Sequence, residues 1–209
     1  FRKATWLESG VHPKLILIWT VAMFDHPELY ILRHGETIWN RQGRYQGRKD
    51  SPLTQKGRQQ AVRQRKLLNA IETLPRKVFV SPLGRTVETA RLAVTFVEHP
   101  ILDDRLQELN FGKWEGATKQ EISEQTNFSF EDGSWYFKSP EGETFAMISA
   151  RALEFLNHLD EPAVVVTHGV TSRLLRGVCL GLCQSDILKL PIDQGCIYQL
   201  VNGPETILR

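Results

Sequence analysis

Apolar residues recur along this chain with two different periods, and their alternation predicts the fold class. Short unbroken apolar runs at Leu29–Leu32, Val78–Ser81 and Ala163–Thr167 have the length and composition of buried strands. The segments between them return an apolar residue every three or four positions, the spacing of one helix face. Thr54 is placed to N-cap a helix reaching about residue 71, with Ala61, Leu68, Ile71 and Leu74 along its apolar stripe. Its other face carries Arg58, Arg63, Arg65 and Lys66, an ordinary solvated surface. A second helix is predicted over 86–96, with Thr86, Val87, Ala90 and Val94 inward. Thr144 opens the strongest helical pattern, in which Phe145, Ile148, Ala152, Phe155, Leu156 and Leu159 follow a core-facing stripe until Pro162 stops it. A fourth helix turns Val170, Leu174, Leu175 and Val178 inward, and Cys196–Val201 with Thr206–Leu208 form a terminal hairpin through Asn202-Gly203. Strand, helix, strand, helix in this order is the signature of an α/β protein.

The remaining segments lack a clean period. Residues 101–109 read as an extended connection, 110–116 as a Gly-bounded turn and Lys119–Gln125 as a short helix. The stretch 127–140 is aromatic (Phe128, Phe130, Trp135, Tyr136, Phe137) and reads either as an irregular cap over a site or as a satellite cluster packed on the core. Residues 1–23 are set apart as an N-terminal extension of doubtful structural role: the first Met is Met23, and Lys14 followed by Leu15–Ala22 only loosely imitates a signal peptide. Residues 24–209 then form a single domain with a cap region at about 110–143.

Composition narrows the partners. A chain of 209 residues with 41% hydrophobic content supports one core. With 26 basic and 24 acidic residues, the net charge of +2 argues against nucleic acid or a membrane surface as the main partner. No window approaches the roughly 18 apolar residues of a membrane span. Cys179, Cys183 and Cys196 show no CxxC spacing and sit among apolar neighbours, so they read as core thiols in a reducing, cytoplasmic setting. The edge strand of the terminal hairpin offers a surface for a second copy, compatible with a homodimer.

The chemistry lies where the apolar runs stop. The three strands end at Arg33-His34-Gly35, Ser81-Pro82…Arg85 and Thr167-His168-Gly169. In an open α/β sheet, carboxyl ends of parallel strands are where ligands bind. Brought together, two Arg and two His suit a tetrahedral phosphoryl group, because Arg presents fixed, permanently charged donors and His serves as nucleophile or donor. The competing use of His34, His168 and Glu108 is a metal site. Two guanidinium groups in the same pocket would repel a divalent cation, so neither metal nor other cofactor is expected.

Five ordered blocks carry a resemblance. Leu32-Arg33-His34-Gly35-Glu36-Thr37…Trp39-Asn40, Asp50-Ser51-Pro52-Leu53-Thr54…Gly57, Ser81-Pro82-Leu83-Gly84-Arg85-Thr86…Thr89-Ala90, Leu106-Gln107-Glu108…Phe111-Gly112…Trp114-Glu115-Gly116 and Thr167-His168-Gly169 resemble the histidine phosphatase superfamily, which includes the cofactor-dependent phosphoglycerate mutases. The resemblance implies a three-layer αβα sandwich with a mostly parallel central sheet. It implies that His34 is the nucleophile that becomes phosphohistidine, and that Arg33, Arg85 and a protonated His168 complete the phosphate pocket. Asn40 and Thr37 fall where further polar contacts to phosphate or substrate are made. Glu108 falls on the proton donor to the leaving oxygen, which then activates water. The compact segment after Glu108 is similar to short bacterial phosphatases of the α-ribazole phosphatase and broad-specificity type. The implied activity is hydrolysis of small-molecule phosphomonoesters. The alternatives are a phosphoglycerate mutase and a non-catalytic relative that binds phosphorylated ligands.

Overall fold

The computed structural model describes residues 26–131, 133–201 and 203–209. The expected extension over 1–23 and the turn residue Asn202 lie outside the described residues. Six strands form one sheet in the order β3-β2-β4-β1-β5-β6. Strands β1 (Leu29–Arg33), β2 (Lys77–Val80), β3 (Ile101–Leu102) and β4 (Ala163–Thr167) are mutually parallel. Strand β5 (Ile197–Leu200) runs antiparallel to β1, and β6 (Thr206–Leu208) closes the terminal hairpin at the sheet edge.

Helices cover both faces, giving the expected three layers. Leu29, Ile31, Phe79, Ala163 and Val165 face α5 (Phe145–Asn157) and α6 (Gly169–Cys179). Tyr30, Leu32, Val78, Val80, Val164 and Val166 face α2 (Gln55–Asn69) and α3 (Gly84–Ala93). Because both faces are buried, the central strand Ala163–Thr167 is apolar without alternation, as a strand inside a parallel sheet must be. Each fully buried aliphatic side chain there contributes about 1.5–3 kcal/mol relative to exposure. A one-residue slip would exchange the two faces, so register is strongly determined.

Caps set the helix starts. Thr54 accepts from the Gly57 N–H and Thr144 from the Met147 N–H, each satisfying an otherwise orphaned first-turn donor. Thr118 and Glu121 form a reciprocal capping box on α4 (Lys119–Gln125).

Several expectations are extended or corrected. Residues 101–102, extended as expected, additionally pair with β2 as an edge strand. A short helix α1 (Ile38–Arg41) follows the first strand, and another, α7 (Gln184–Ile187), follows α6. Helix α3 ends at Ala93, and Val87 is 39% exposed instead of inward. The reason is Arg85: turning its side chain and Thr89 inward fixes the rotation of the helix and puts Val87 outside. Cys179 and Cys196 are buried, but Cys183 is exposed at the start of α7, so the three thiols are not all core. Burial pushes the Cys179 thiol up to about 12, which keeps it an inert core group. The aromatic stretch does both things the sequence left open. Trp135 is buried in the core with Trp114, while its neighbour Tyr136 reaches the cavity described next.

Candidate active site

His34 follows β1 directly and His168 follows β4 directly, and these strands are neighbours with Arg33 opposite Thr167. Ser81 follows β2, which pairs with the other side of β4. Three adjacent parallel strands therefore deliver their polar ends to one crevice. A cavity of about 210 Å³ opens there, lined by Arg33, His34, Asn40, Arg85, Glu108 and Tyr136 among others.

The loop bearing His34 is pinned on every side. The His34 N–H donates to the Thr167 carbonyl at 3.0 Å, the Gly35 N–H to Thr89 Oγ1 at 3.0 Å, and the Glu36 N–H to Gln60 Oε1 at 2.7 Å. A Cβ on Gly35 would lie 2.2 Å from the Gly57 carbonyl oxygen, and one on Gly57 would lie 2.1 Å from that of Glu36. The nucleophile loop and the first turn of α2 approach backbone to backbone, and only glycine permits that contact on both sides.

His34 Nδ1 lies 2.8 Å from the Gly35 carbonyl oxygen. A carbonyl only accepts, so Nδ1 carries the hydrogen and Nε2 keeps a free lone pair. His168 is fully buried, its ring edge-on to His34 with centroids 5.3 Å apart, and its Nε2 lies 2.7 Å from Ser81 Oγ. Burial, with Arg85 and other nearby positive groups, holds both imidazoles well below the ordinary histidine range. Without an anion in the pocket both rings are neutral; the expectation of a protonated His168 concerns the pocket with a phosphoryl group bound.

Arg85 is 1% exposed and is held by the carbonyls of Gly47 and Lys49 and by Asp50. Arg33 donates from Nη1 to the Ile192 carbonyl at 2.6 Å. Arg33 Nε, Arg85 Nε and His168 Nδ1 are buried with no hydrogen-bond partner. Orphaned buried polar atoms are rare, and three around one crevice mark a place built to receive a ligand with several acceptors.

Glu108 sits against the first turn of α6. Its Oε1 accepts from the N–H groups of Leu109 at 3.0 Å and Thr171 at 3.1 Å, and from Thr171 Oγ1 at 3.2 Å. Its Oε2 accepts only from the Val170 N–H, at 3.2 Å, and so retains a lone pair for proton transfer. Arg151 fixes this segment by donating to the Arg105 and Gln107 carbonyls while pairing with Glu143, which accepts from the Asn110 N–H.

The structure separates two residues that the sequence placed together. Asn40 lines the cavity. Its Oδ1 accepts from the Thr37 N–H and from Gln194 Nε2, which orients its amide NH2 as the free end. Thr37 is fully buried, its hydroxyl accepts from the Asn40 N–H as the N-cap of α1, and it is not among the residues lining the cavity. Gln194 was not foreseen: its Nε2 bridges the His34 carbonyl and Asn40 Oδ1, both at 3.1 Å. It rides on a loop tied down by the buried Arg176, which pairs with Glu205 and donates to the Pro191 carbonyl. No sequence signal marked Gln194, since it lies 160 residues from His34. Among the described residues no three His, Cys, Asp or Glu side chains gather as a metal-binding group, and no helix is long and apolar enough to cross a membrane.

The depressed histidines carry a pH signature. Unfolding releases them to the ordinary value of about 6.5, so below that pH the unfolded chain binds protons the folded chain refuses. Their contribution is fully present above about pH 6.5 and is lost as pH falls toward the lowered native values, by at most about 1.4 kcal/mol per histidine per pH unit. Urea unfolding midpoints should therefore drop between pH 7.5 and 5.5, and the double variant His34→Gln/His168→Gln should drop measurably less. Equal drops would show that the two rings are not held neutral.

The superfamily model "Histidine phosphatase superfamily (branch 1)" matches residues 29–207. A protein of Escherichia coli O1:K1 named "Probable phosphoglycerate mutase GpmB" is 35% identical over 164 residues, 74% of this chain and 75% of its own length. The crystal structure of the alpha-ribazole phosphatase from Shigella flexneri is similar with a TM-score of 0.74 and 29% identity, over 87% of this chain and 94% of that one. A mycobacterial glucosyl-3-phosphoglycerate phosphatase solved in complex with VO3 is similar with a TM-score of 0.71 and 29% identity, over 84% of this chain and 92% of that one.

Proposed function

This chain belongs to the histidine phosphatase superfamily, and from that premise we propose that it hydrolyses small phosphomonoesters with His34 as nucleophile and Glu108 as proton donor and acceptor. His34 Nε2 attacks phosphorus in line with the ester oxygen. The P–O bond breaks, the leaving oxygen takes a proton from Glu108, and an alcohol departs from phosphohistidine. Water then attacks phosphorus, the Glu108 carboxylate takes its proton, the P–N bond breaks, and inorganic phosphate leaves.

The observation that carries this assignment is the pairing of a free His34 Nε2 with buried, unpartnered donors on Arg33 and Arg85. Both guanidinium groups stay charged despite burial, and they meet the equatorial oxygens in a site already oriented for them. His168 joins through Nδ1 when the Ser81 hydroxyl donates to Nε2. An arriving phosphate dianion also favours a charged His168, reversing the effect of the arginines. Asn40 adds its amide NH2, positioned by Gln194. Thr37 acts one step back, by capping the helix that presents Asn40. No step needs a metal, because the arginines supply the positive charge.

The phosphatase relatives support hydrolysis, and the relative named as a phosphoglycerate mutase keeps isomerisation as the second reading. Inorganic phosphate release from a phosphomonoester panel in EDTA, run beside a phosphoglycerate isomerisation assay, separates the two. Release in EDTA is the expected result. Isomerisation without phosphate loss would assign the protein to the mutases.

A further inference from the structure

The catalytic cavity, at about 210 Å³, is smaller than the ~300–1,000 Å³ usual for a whole organic ligand. It holds a phosphoryl group and little more, so the alcohol portion must extend beyond it. A second cavity of about 690 Å³ lies beside it, and Tyr45 and Tyr136 line both. One wall is aromatic, with Tyr45 edge-on to Trp135 and Tyr136 tilted against Trp135. Burial pushes the Tyr45 phenol up to about 12, so this wall is uncharged at working pH.

The remaining charged lining is three cations, Lys119, Arg173 and Lys189, and one carboxylate, Glu131. Lys189 is paired with Asp186, and Lys119 stands over the Phe130 ring. Arg173 differs: its Nε donates to the Leu190 carbonyl, and among the described residues its Nη groups make no hydrogen bond and pair with no carboxylate. Its positive charge acts on Arg33, with Arg85's, in the direction that opposes a further cation and favours an anion between them. A half-buried guanidinium anchored by Nε and lining a cavity that adjoins the phosphate pocket is a ready carboxylate or phosphate receptor.

We infer that the second cavity is the leaving-group subsite and that Arg173 selects phosphomonoesters whose ring-bearing alcohol carries a second anionic group. The inference takes the ester's orientation from the phosphatase reading above. The second anion forms a bidentate pair with the Arg173 Nη groups while the ring lies against Tyr45 and Tyr136. Arg173 is thus a specificity-determining residue, and its own chemistry is unchanged in the reaction.

The test compares 4-carboxyphenyl phosphate with 4-carbamoylphenyl phosphate, which match in size and differ in the second charge. Titration calorimetry on the His34→Ala protein measures binding of each without turnover. The carboxy ester should bind at least about fivefold tighter at low salt, with the advantage shrinking as ionic strength rises. Adding Arg173→Gln should remove the advantage, and Arg173→Lys should keep part of it, which separates lost charge from lost packing. Equal affinity for the two esters, or an advantage that survives Arg173→Gln, overturns the inference. Phosphate release by the unsubstituted protein is read separately. A carboxylate preference without any phosphate release would overturn the phosphatase reading and leave the subsite standing.

Discussion

Replacing His34 with Ala should lower phosphate release by about 10⁴-fold or more, the scale seen when a covalent nucleophile is removed. Acid-labile phosphate on the protein should vanish with it. The fold should survive, since the main-chain partners of His34 are Thr167 and Gln194, and neither contact involves the imidazole. The ring's own hydrogen bond reaches only the adjacent Gly35 carbonyl. Removing it also deletes a group that opposes folding at acid pH, so the variant should be no less stable at pH 5.5 than the parent. Incubation with a radiolabelled ester, followed by an alkaline quench and gel analysis, reads the phosphoenzyme directly. A labelled His34→Ala protein would move the nucleophile elsewhere, with His168 the first place to look.

The Glu108→Gln change should act differently on the two half-reactions. A Gln carbonyl can occupy the Oε1 position and keep its three donors, but the NH2 then meets the Val170 N–H in place of Oε2. That mismatch costs about 1–3 kcal/mol locally, and the lost proton transfer should lower kcat by about 10²–10⁴-fold. With 4-nitrophenyl phosphate the leaving oxygen needs little protonation, so His34 should still become phosphorylated. Water still needs a base in the second step, so phosphohistidine should accumulate. A burst of nitrophenolate with persistent labelled protein is the expected result. Unchanged turnover would remove Glu108 from both proton transfers, and equal slowing of esters with good and poor leaving groups, without accumulated phosphohistidine, would remove it from protonation of the leaving oxygen.

The two variants bear on a site whose strands and helix stripes follow from local periodicity. Ala163–Thr167 is apolar at every position because both faces are covered, and the α5 stripe repeats with the helix turn; each pattern is complete within a few residues. The same locality explains why His34 and His168, each at the end of an apolar run and followed by Gly, could be read together from the sequence. Their meeting needs only that β1 and β4 be parallel neighbours, which the α/β alternation already favours.

What depended on tertiary structure was every commitment made between distant segments. Thr37 and Asn40 look equivalent as small polar residues after the nucleophile. Only the folded loop spends the Thr37 hydroxyl on a helix cap and turns the Asn40 amide outward, with Gln194 arriving from 160 residues away to hold it. Helix α3 could have placed Val87 inward by its own pattern, until burial of Arg85 against Gly47, Lys49 and Asp50 settled its rotation. His168 is neutral because burial and the guanidinium groups around it oppose its charge, a sum over groups that no single stretch of chain contains. The cavity bearing Arg173 is likewise formed between the aromatic cap and the α6–α7 region. Periodicity determines which face of an element is buried, whereas hydrogen-bond partners, charge states and cavities arise from elements far apart in the chain and become definite only when the fold brings them together.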